Sequence, residues 1–298
     1  MRKMRIAMHI HRHQFISGFL SAFLLVSFFC ASVFAADTAA PPGQRIFYTG
    51  HSFHMFVPGM IEAMVKTTDI QGHKLVGQQG IGGSKVIQHW QVPDEKNSAR
   101  KALISGEVDV FTMAPHLLIP DEGITNFVNL GLEHNPNMRF LVQASWYLFD
   151  LPAPEPGQPD RRIKVNAQRD DMKIADLQAA IDGWRTQIEA QVAGLNKQHG
   201  KQCVFIVPAG DAVLKLRAMV AAGEFPGITK QSALFRDHIG HGQGHIMALV
   251  AYCNFAAIYR ISPVGHTAPE RSINAAQHAI LQQIAWDTVS KYPPAGVK

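Results

Sequence analysis

Cysteine and charge are both scarce in this 298-residue chain: three residues are cysteine and 17% are charged, while 47% are apolar. That balance suits one domain with a substantial core. No basic stripe, basic helix or interleaving of basic with aromatic residues occurs, so the electrostatic footprint of a nucleic-acid partner is missing. Internal repeats and low-complexity tracts are absent too, which excludes a solenoid. Acids are missing altogether from the first 35 positions, and that local absence is informative. Arg2, Lys3, Arg5 and Arg12 lie near the start, an apolar run extends from Phe15 to Phe29, and small residues follow around Val33-Phe34-Ala35-Ala36. A basic start, an apolar stretch and a small-x-Ala site predict a secretory signal peptide over residues 1–35. Residues 36–298 are then a single exported domain, periplasmic or extracellular, with no stable membrane span after cleavage. An uncleaved anchor is the competing expectation, since Phe15 to Ala35 is long enough to reach across a bilayer. Phe28-Phe29, ahead of Cys30, departs from the small residues that a lipoprotein site needs.

The leader holds four of the 28 Lys and Arg residues and no acid, so the remainder has 24 bases against 23 acids. The formal charge of +5 therefore belongs largely to the leader and says little about partners. Beyond it, only Cys203 and Cys253 remain. They can pair in an oxidising compartment or serve as small buried apolar residues.

From Arg45 onward, short apolar strands alternate with helical periods. Strands are expected at Ile46–Thr49, Lys74–Val76, Val108–Met113, Phe140–Gln143 and Cys203–Val207. Between and after them, helices are expected over about 53–67, 98–105, 121–133, 211–222, 244–259 and 271–290. A proline-rich loop at 152–160 precedes the clearest helix, whose Ile174, Leu177, Ile181, Trp184, Ile188, Val192 and Leu195 recur at three- and four-residue steps up to Gly200. This alternation predicts a three-layer α/β/α sandwich around a mainly parallel, flavodoxin-like sheet. Ligands of such sheets bind beyond the carboxyl ends of the strands. Four stretches qualify: Gly50 to His54, Gly80 to Ser84, Pro115-His116, and the loop leading to His241.

Gly50-His51-Ser52 places a serine after a strand, where a helix terminus favours a developing oxyanion, although serine is also a common helix cap. Gly80-Ile81-Gly82-Gly83-Ser84 can bring backbone N–H groups to a ligand, or simply turn the chain. It lacks the Lys-Ser/Thr of a phosphate loop. Arg236-Asp237-His238-Ile239-Gly240-His241-Gly242-Gln243-Gly244-His245 offers an acid and a base for activating a serine. The competing expectation is a metal site made from His241 and His245 with His238 or Asp237, but no glutamate follows His241 as zinc proteases require, and the glycines favour a loop.

In this order, the stretches resemble the SGNH/GDSL serine hydrolases over most of residues 45–260. Gly50-His51-Ser52 resembles the first block of that family, Gly82 or Gly83 the second-block glycine, and Asp237 with His241 the last block. The resemblance implies Ser52 as nucleophile, His241 as base and Asp237 as its orienting acid. It also implies an oxyanion site from the N–H groups of Ser52 and Gly83, a small-molecule or carbohydrate ester substrate such as an acetyl ester, and neither metal nor cofactor. Three departures stand out. His51 replaces the usual Asp or Asn, the final pair is spaced Asp-x-x-x-His rather than Asp-x-x-His, and no third-block asparagine follows the third strand. His116 stands there instead, as a substitute oxyanion donor or a plain loop histidine. His51 and the aromatic residues Trp146, Tyr147 and Phe149 are expected on the substrate side, with a packing role as the alternative for the aromatics. A non-catalytic exported binding protein on the same sheet, with Ser52 as a cap, is the alternative from another functional class.

Overall fold

A computed structural model describes residues 40–116 and 118–297. The expected leader and Cys30 lie outside the described residues. Four short runs rich in β-branched and aromatic residues form the strands β1 (Arg45–Gly50), β3 (Val110–Met113), β4 (Arg139–Gln143) and β5 (Val204–Val207), and the more polar Lys74–Gly80 forms β2 at the sheet edge. They build one sheet in the order β2-β1-β3-β4-β5, with every pair parallel. This is the flavodoxin-like order, in which the chain reverses its direction of winding between β1 and β3 and leaves a crevice beyond their carboxyl ends.

Eight α-helices flank the sheet among the described residues: α1 (Val57–Val65), α2 (Val86–Trp90), α3 (Ser98–Ile104), α4 (Glu122–His134), α5 (Ile174–Gln198), α6 (Ala209–Ala221), α7 (Gly244–Tyr259) and α8 (Ala275–Ser290). One apolar layer joins α1, α6, α7 and α8 to one face of the sheet, and another joins α3, α4 and α5 to the opposite face. The α5 stripe buries Leu177, Ile181, Trp184, Ile188, Val192 and Leu195, as its spacing predicts for a core-facing helix. Ala248 to Tyr259 of α7 is buried without a break, because α8 covers the side turned away from the sheet. Among the described residues no helix is long and apolar enough to cross a membrane. Cys203 and Cys253 are both buried and unbonded.

Three differences from the expected elements bear on function. β2 continues past Val76 through Gly80 because Gly77 to Gly80 pair with Phe47 to Gly50 of β1, so the turn of the Gly80–Ser84 stretch begins at Ile81. α1 begins at Val57 rather than near Phe53: residues 52–56 make tight turns, with His54 and Met55 N–H both donating to the His51 carbonyl at 2.9 and 3.1 Å. α2 escaped the periodicity because its five residues span little more than one turn.

Candidate active site

The ends of β1 and β3 approach so closely at the crevice that a Cβ on Gly50 would lie 3.0 Å from the Ala114 Cβ and 3.2 Å from the His54 Cβ. A side chain there would press on both neighbours, which favours glycine where β1 turns into the Ser52 segment. Ser52 is exposed, whereas His51, Phe53 and His54 around it are buried. The α1 N-cap is Phe56, without a side-chain cap, so Ser52 does not cap that helix. Its Oγ lies 2.9 Å from His241 Nε2 instead. His241 Nδ1 lies 2.7 Å from Asp237 Oδ2, an arrangement that puts the ring proton on Nδ1 and leaves Nε2 free to accept. Asp237 Oδ1 accepts the backbone N–H groups of Gly240 and His241 at 3.0 and 3.2 Å. Burial alone would raise the Asp237 pKa, but the bonds from His241 and these two N–H groups outweigh it and hold the carboxyl below its ordinary value.

The loop bearing Asp237 and His241 closes on itself before α7: Arg236 N–H donates to the His241 carbonyl at 2.8 Å and Gln243 N–H to the Leu234 carbonyl at 2.8 Å. Gly240 at φ +117° takes a backbone conformation that disfavours a side chain, and a Cβ there would also crowd Phe53 and the Trp146 indole nitrogen at 3.3 Å. With this turn, the Asp-x-x-x-His spacing brings carboxylate and imidazole together. The three histidines of the loop diverge. His238 lies against Phe149, with ring centroids 5.6 Å apart, and His245 is buried against Phe225. Among the described residues, no three His, Cys, Asp or Glu side chains are grouped to hold a metal ion.

His51 and Trp146 lie beneath the site rather than on an open substrate face, at 3% and 6% exposure. Trp146 stacks on Phe53 at 4.7 Å and 10°, and Phe53 meets the His241 ring edge-on at 5.4 Å. His51 packs edge-on to His116 at 5.1 Å. Burial, reinforced by His116 and His54, pushes the His51 pKa down to about 3. Burial and then Lys85 lower that of His116. His51, His116 and Trp146 share a cavity of about 10 Å³, room for one water, with Tyr147, Leu148 and Trp184. Those last three residues also wall a groove of about 330 Å³ completed by Ile119 and Phe149, among others. Tyr147 and Phe149 therefore do line a ligand-sized space.

The turn containing Gly83 runs beside the Ser52 turn, since Gly80 pairs with Gly50 and Ile81 N–H donates to the Gly50 carbonyl at 3.1 Å. Buried Ser84 anchors its far end through a 2.7 Å bond to His89 Nε2. Residue types alone missed the polar network under the serine. His54 Nδ1 bonds Gln143 Oε1 and its Nε2 bonds Thr112 Oγ1, each at 2.8 Å, while Gln143 Nε2 donates to the Phe53 carbonyl at 3.0 Å. Asn254 of α7 also donates to Gln143, at 3.0 Å. No sequence spacing links these four residues, because they come from the turn after β1, from β3, from β4 and from α7.

The sequence matches no family model, and no curated protein sequence matches it. Solved structures do resemble it. A DUF4886 family protein from Bacteroides uniformis superposes with a TM-score of 0.54 at 14% identity, over 85% of this chain and 96% of that one. What the two share is the fold. Weaker likenesses are a proposed GDSL-like lipase from Parabacteroides merdae, with a TM-score of 0.40 at 10% identity over 87% and 98% of the two chains, and a proposed SGNH hydrolase from Slackia heliotrinireducens, with a TM-score of 0.39 at 15% identity over 72% and 97%.

Proposed function

We propose that this chain is an exported serine hydrolase of the SGNH/GDSL type that cleaves a small or carbohydrate-linked carboxylic ester. The observation that carries the proposal is the Ser52–His241–Asp237 chain of hydrogen bonds, 2.9 and 2.7 Å long, ending on an exposed hydroxyl. A serine without a base is a poor nucleophile, and a base without an orienting acid holds neither tautomer nor direction.

His241 Nε2 takes the Ser52 proton as Oγ attacks the ester carbonyl carbon. Asp237 keeps the ring aligned and stabilises its cationic form. The tetrahedral intermediate collapses, the carbon–alkoxy oxygen bond breaks, and His241 returns its proton to the departing alcohol. Water then attacks the acyl-Ser52 ester with His241 again as base, releasing the acid and restoring Ser52. The Ser52 and Gly83 N–H groups and the neutral His116 ring are the oxyanion donors in this scheme. One such donor is worth on the order of 3 kcal/mol. The groove lined by Tyr147, Phe149 and Trp184 suits an acyl group or the apolar face of a sugar ring. The scheme uses no metal and no cofactor.

Fluorophosphonate labelling, read by intact mass on residues 36–298, tests this without a guess at the substrate. The expected result is one adduct, lost in Ser52→Ala and in His241→Ala. An adduct indifferent to Ser52→Ala, or none in the unaltered protein, overturns the assignment.

A further inference from the structure

The loop of Asp237 and His241 turns its backbone N–H groups inward to its own carboxylate, which leaves its carbonyls facing outward. Four consecutive carbonyls are each taken by a donor from the segment between β4 and α5. Arg169 donates one guanidinium nitrogen to the Asp237 carbonyl at 3.2 Å and the His238 carbonyl at 2.9 Å, Phe149 N–H donates to Ile239 at 3.0 Å, and Trp146 Nε1 donates to Gly240 at 2.9 Å. Arg169 is itself wholly buried. Its Nε donates to Asn166 Oδ1 at 3.0 Å, its other terminal nitrogen bonds Asp150, and its plane covers the Phe235 ring at 4.0 Å. Asp150 is shared with Arg217 of α6 at 2.8 Å. Phe149 and Asp150 both hold positive φ, +54° and +68°, a conformation that costs energy in residues other than glycine and persists where surroundings over-determine it.

We propose that Arg169 is a positioning residue for the hydrolytic site. It fixes the backbone at Asp237 and His238 so that the carboxylate reaches His241 across the four-residue step. The inference rests on the serine-hydrolase reading for its kinetic consequence, but not for its structural one. Arg169 touches neither Ser52 nor His241, and it acts through the peptide groups that carry the acid. A fork of planar donors suits this task, because one side chain must satisfy two carbonyls, a carboxylate and an amide oxygen at once. Lysine keeps the charge beside Asp150 but cannot span all four acceptors.

The test compares Arg169→Lys with Arg217→Lys, a matched change at the other arginine on Asp150, which bonds Gln231 and Asp150 rather than the carbonyls of residues 237–240. Two readouts are taken below the melting temperature of each variant: the fluorophosphonate labelling rate, and the downfield proton resonance of the His241 Nδ1–H bound to Asp237. Arg169→Lys is expected to slow labelling by on the order of 10- to 100-fold and to broaden or abolish the resonance. Arg217→Lys is expected to keep both within about 2-fold of the unaltered protein, even where it melts earlier. Asn166 also donates to the Ser232 and Phe235 carbonyls at 3.0 and 3.2 Å. If Arg169→Lys does not fold, the test therefore compares Asn166→Ala, which frees the Arg169 Nε and both carbonyls, with Asn166→Asp, which keeps an acceptor for that Nε. Only the alanine variant is expected to lose labelling and the resonance, with a smaller effect. An unchanged resonance in Arg169→Lys or Asn166→Ala, or equal losses in Arg217→Lys or Asn166→Asp, overturns the proposal. A resonance lost through Arg169 in a protein that never labels would instead sustain the positioning role and remove the serine-hydrolase reading.

Discussion

At Asp237, burial and bonding act in opposite directions, and bonding wins. A half-exposed carboxylate with three donors aimed at it stays ionised through the neutral range, so its role toward His241 is acceptor only. Asp237→Asn is nearly isosteric, yet its amide can present a donor where an acceptor is needed and so favours the wrong tautomer of His241. Labelling of Ser52 is expected to fall by roughly 10³- to 10⁴-fold with little change in melting temperature. Time-resolved mass measurement of the adduct checks the first half of that statement, and a thermal melt checks the second. A fall of less than about 10-fold would mean that the Asp237 bond does not govern the tautomer.

Among the elements, the β4–α5 segment is the one whose role the sequence conceals. Its prolines at 152–160 mark a loop, and residues 154–161 are indeed exposed or nearly so. Either side of the prolines, however, the segment is a strut: Trp146 and Phe149 enter it and Arg169 leaves it, all bonded to the Asp237 loop. At its centre, one carboxylate, Asp150, faces two buried guanidinium groups whose pKa values burial lowers. Removing that single anion leaves two buried cations unpaired. Asp150→Ala is therefore expected to destabilise the fold by about 3–5 kcal/mol in urea denaturation, which is large for a loop residue. A loss under about 1 kcal/mol would show that water or rearrangement replaces the carboxylate.

For the molecule as a whole, the notable electrostatic feature is a set of histidines held neutral inside it. Burial pushes the pKa of His51 to about 3 and those of His54 and His89 to about 4, from an ordinary value near 6.5. In each case the folded pKa lies below the unfolded one, so the unfolded chain binds protons first as pH falls. The stability these neutral rings contribute is complete above pH 6.5 and is lost progressively down to their folded values. Between pH 7 and pH 5, denaturation free energy is expected to drop by up to about 2 kcal/mol for each such histidine. Burial raises the pKa values of the Asp121 and Asp211 carboxyls, which bind protons in the folded chain first as pH falls and so offset part of this loss. Asp109, bonded to Arg45, and Asp237 are both held below 3.8, and their contribution is lost only at more acidic pH. His54→Gln is expected to flatten the slope while weakening the Thr112–Gln143 network. A slope unchanged by that substitution would place the titration elsewhere.

Local sequence determined most of the scaffold of this protein. Apolar runs of strand length, one long 3.6-residue period on α5, and glycines at chain reversals each depend on residues a few positions apart, and most elements appear where those patterns put them, the length of β2, the start of α1 and the short α2 excepted. The order serine, glycine, then Asp/His was legible as well, because in a parallel sheet every strand delivers its following loop to the same edge. Tertiary structure decided the rest. Whether Ser52 capped a helix or met a base depended on a turn that delays α1, and on a loop 189 residues away reaching its hydroxyl. Whether His238, His241 and His245 shared a ligand or parted depended on the backbone at Gly240. The Arg169 strut and the His54–Gln143 network left no trace in periodicity or spacing, because, Asn166 apart, their partners lie 19 to 111 residues away. Only the packed fold, which excludes water and leaves each buried polar group needing a partner, brings them within bonding distance.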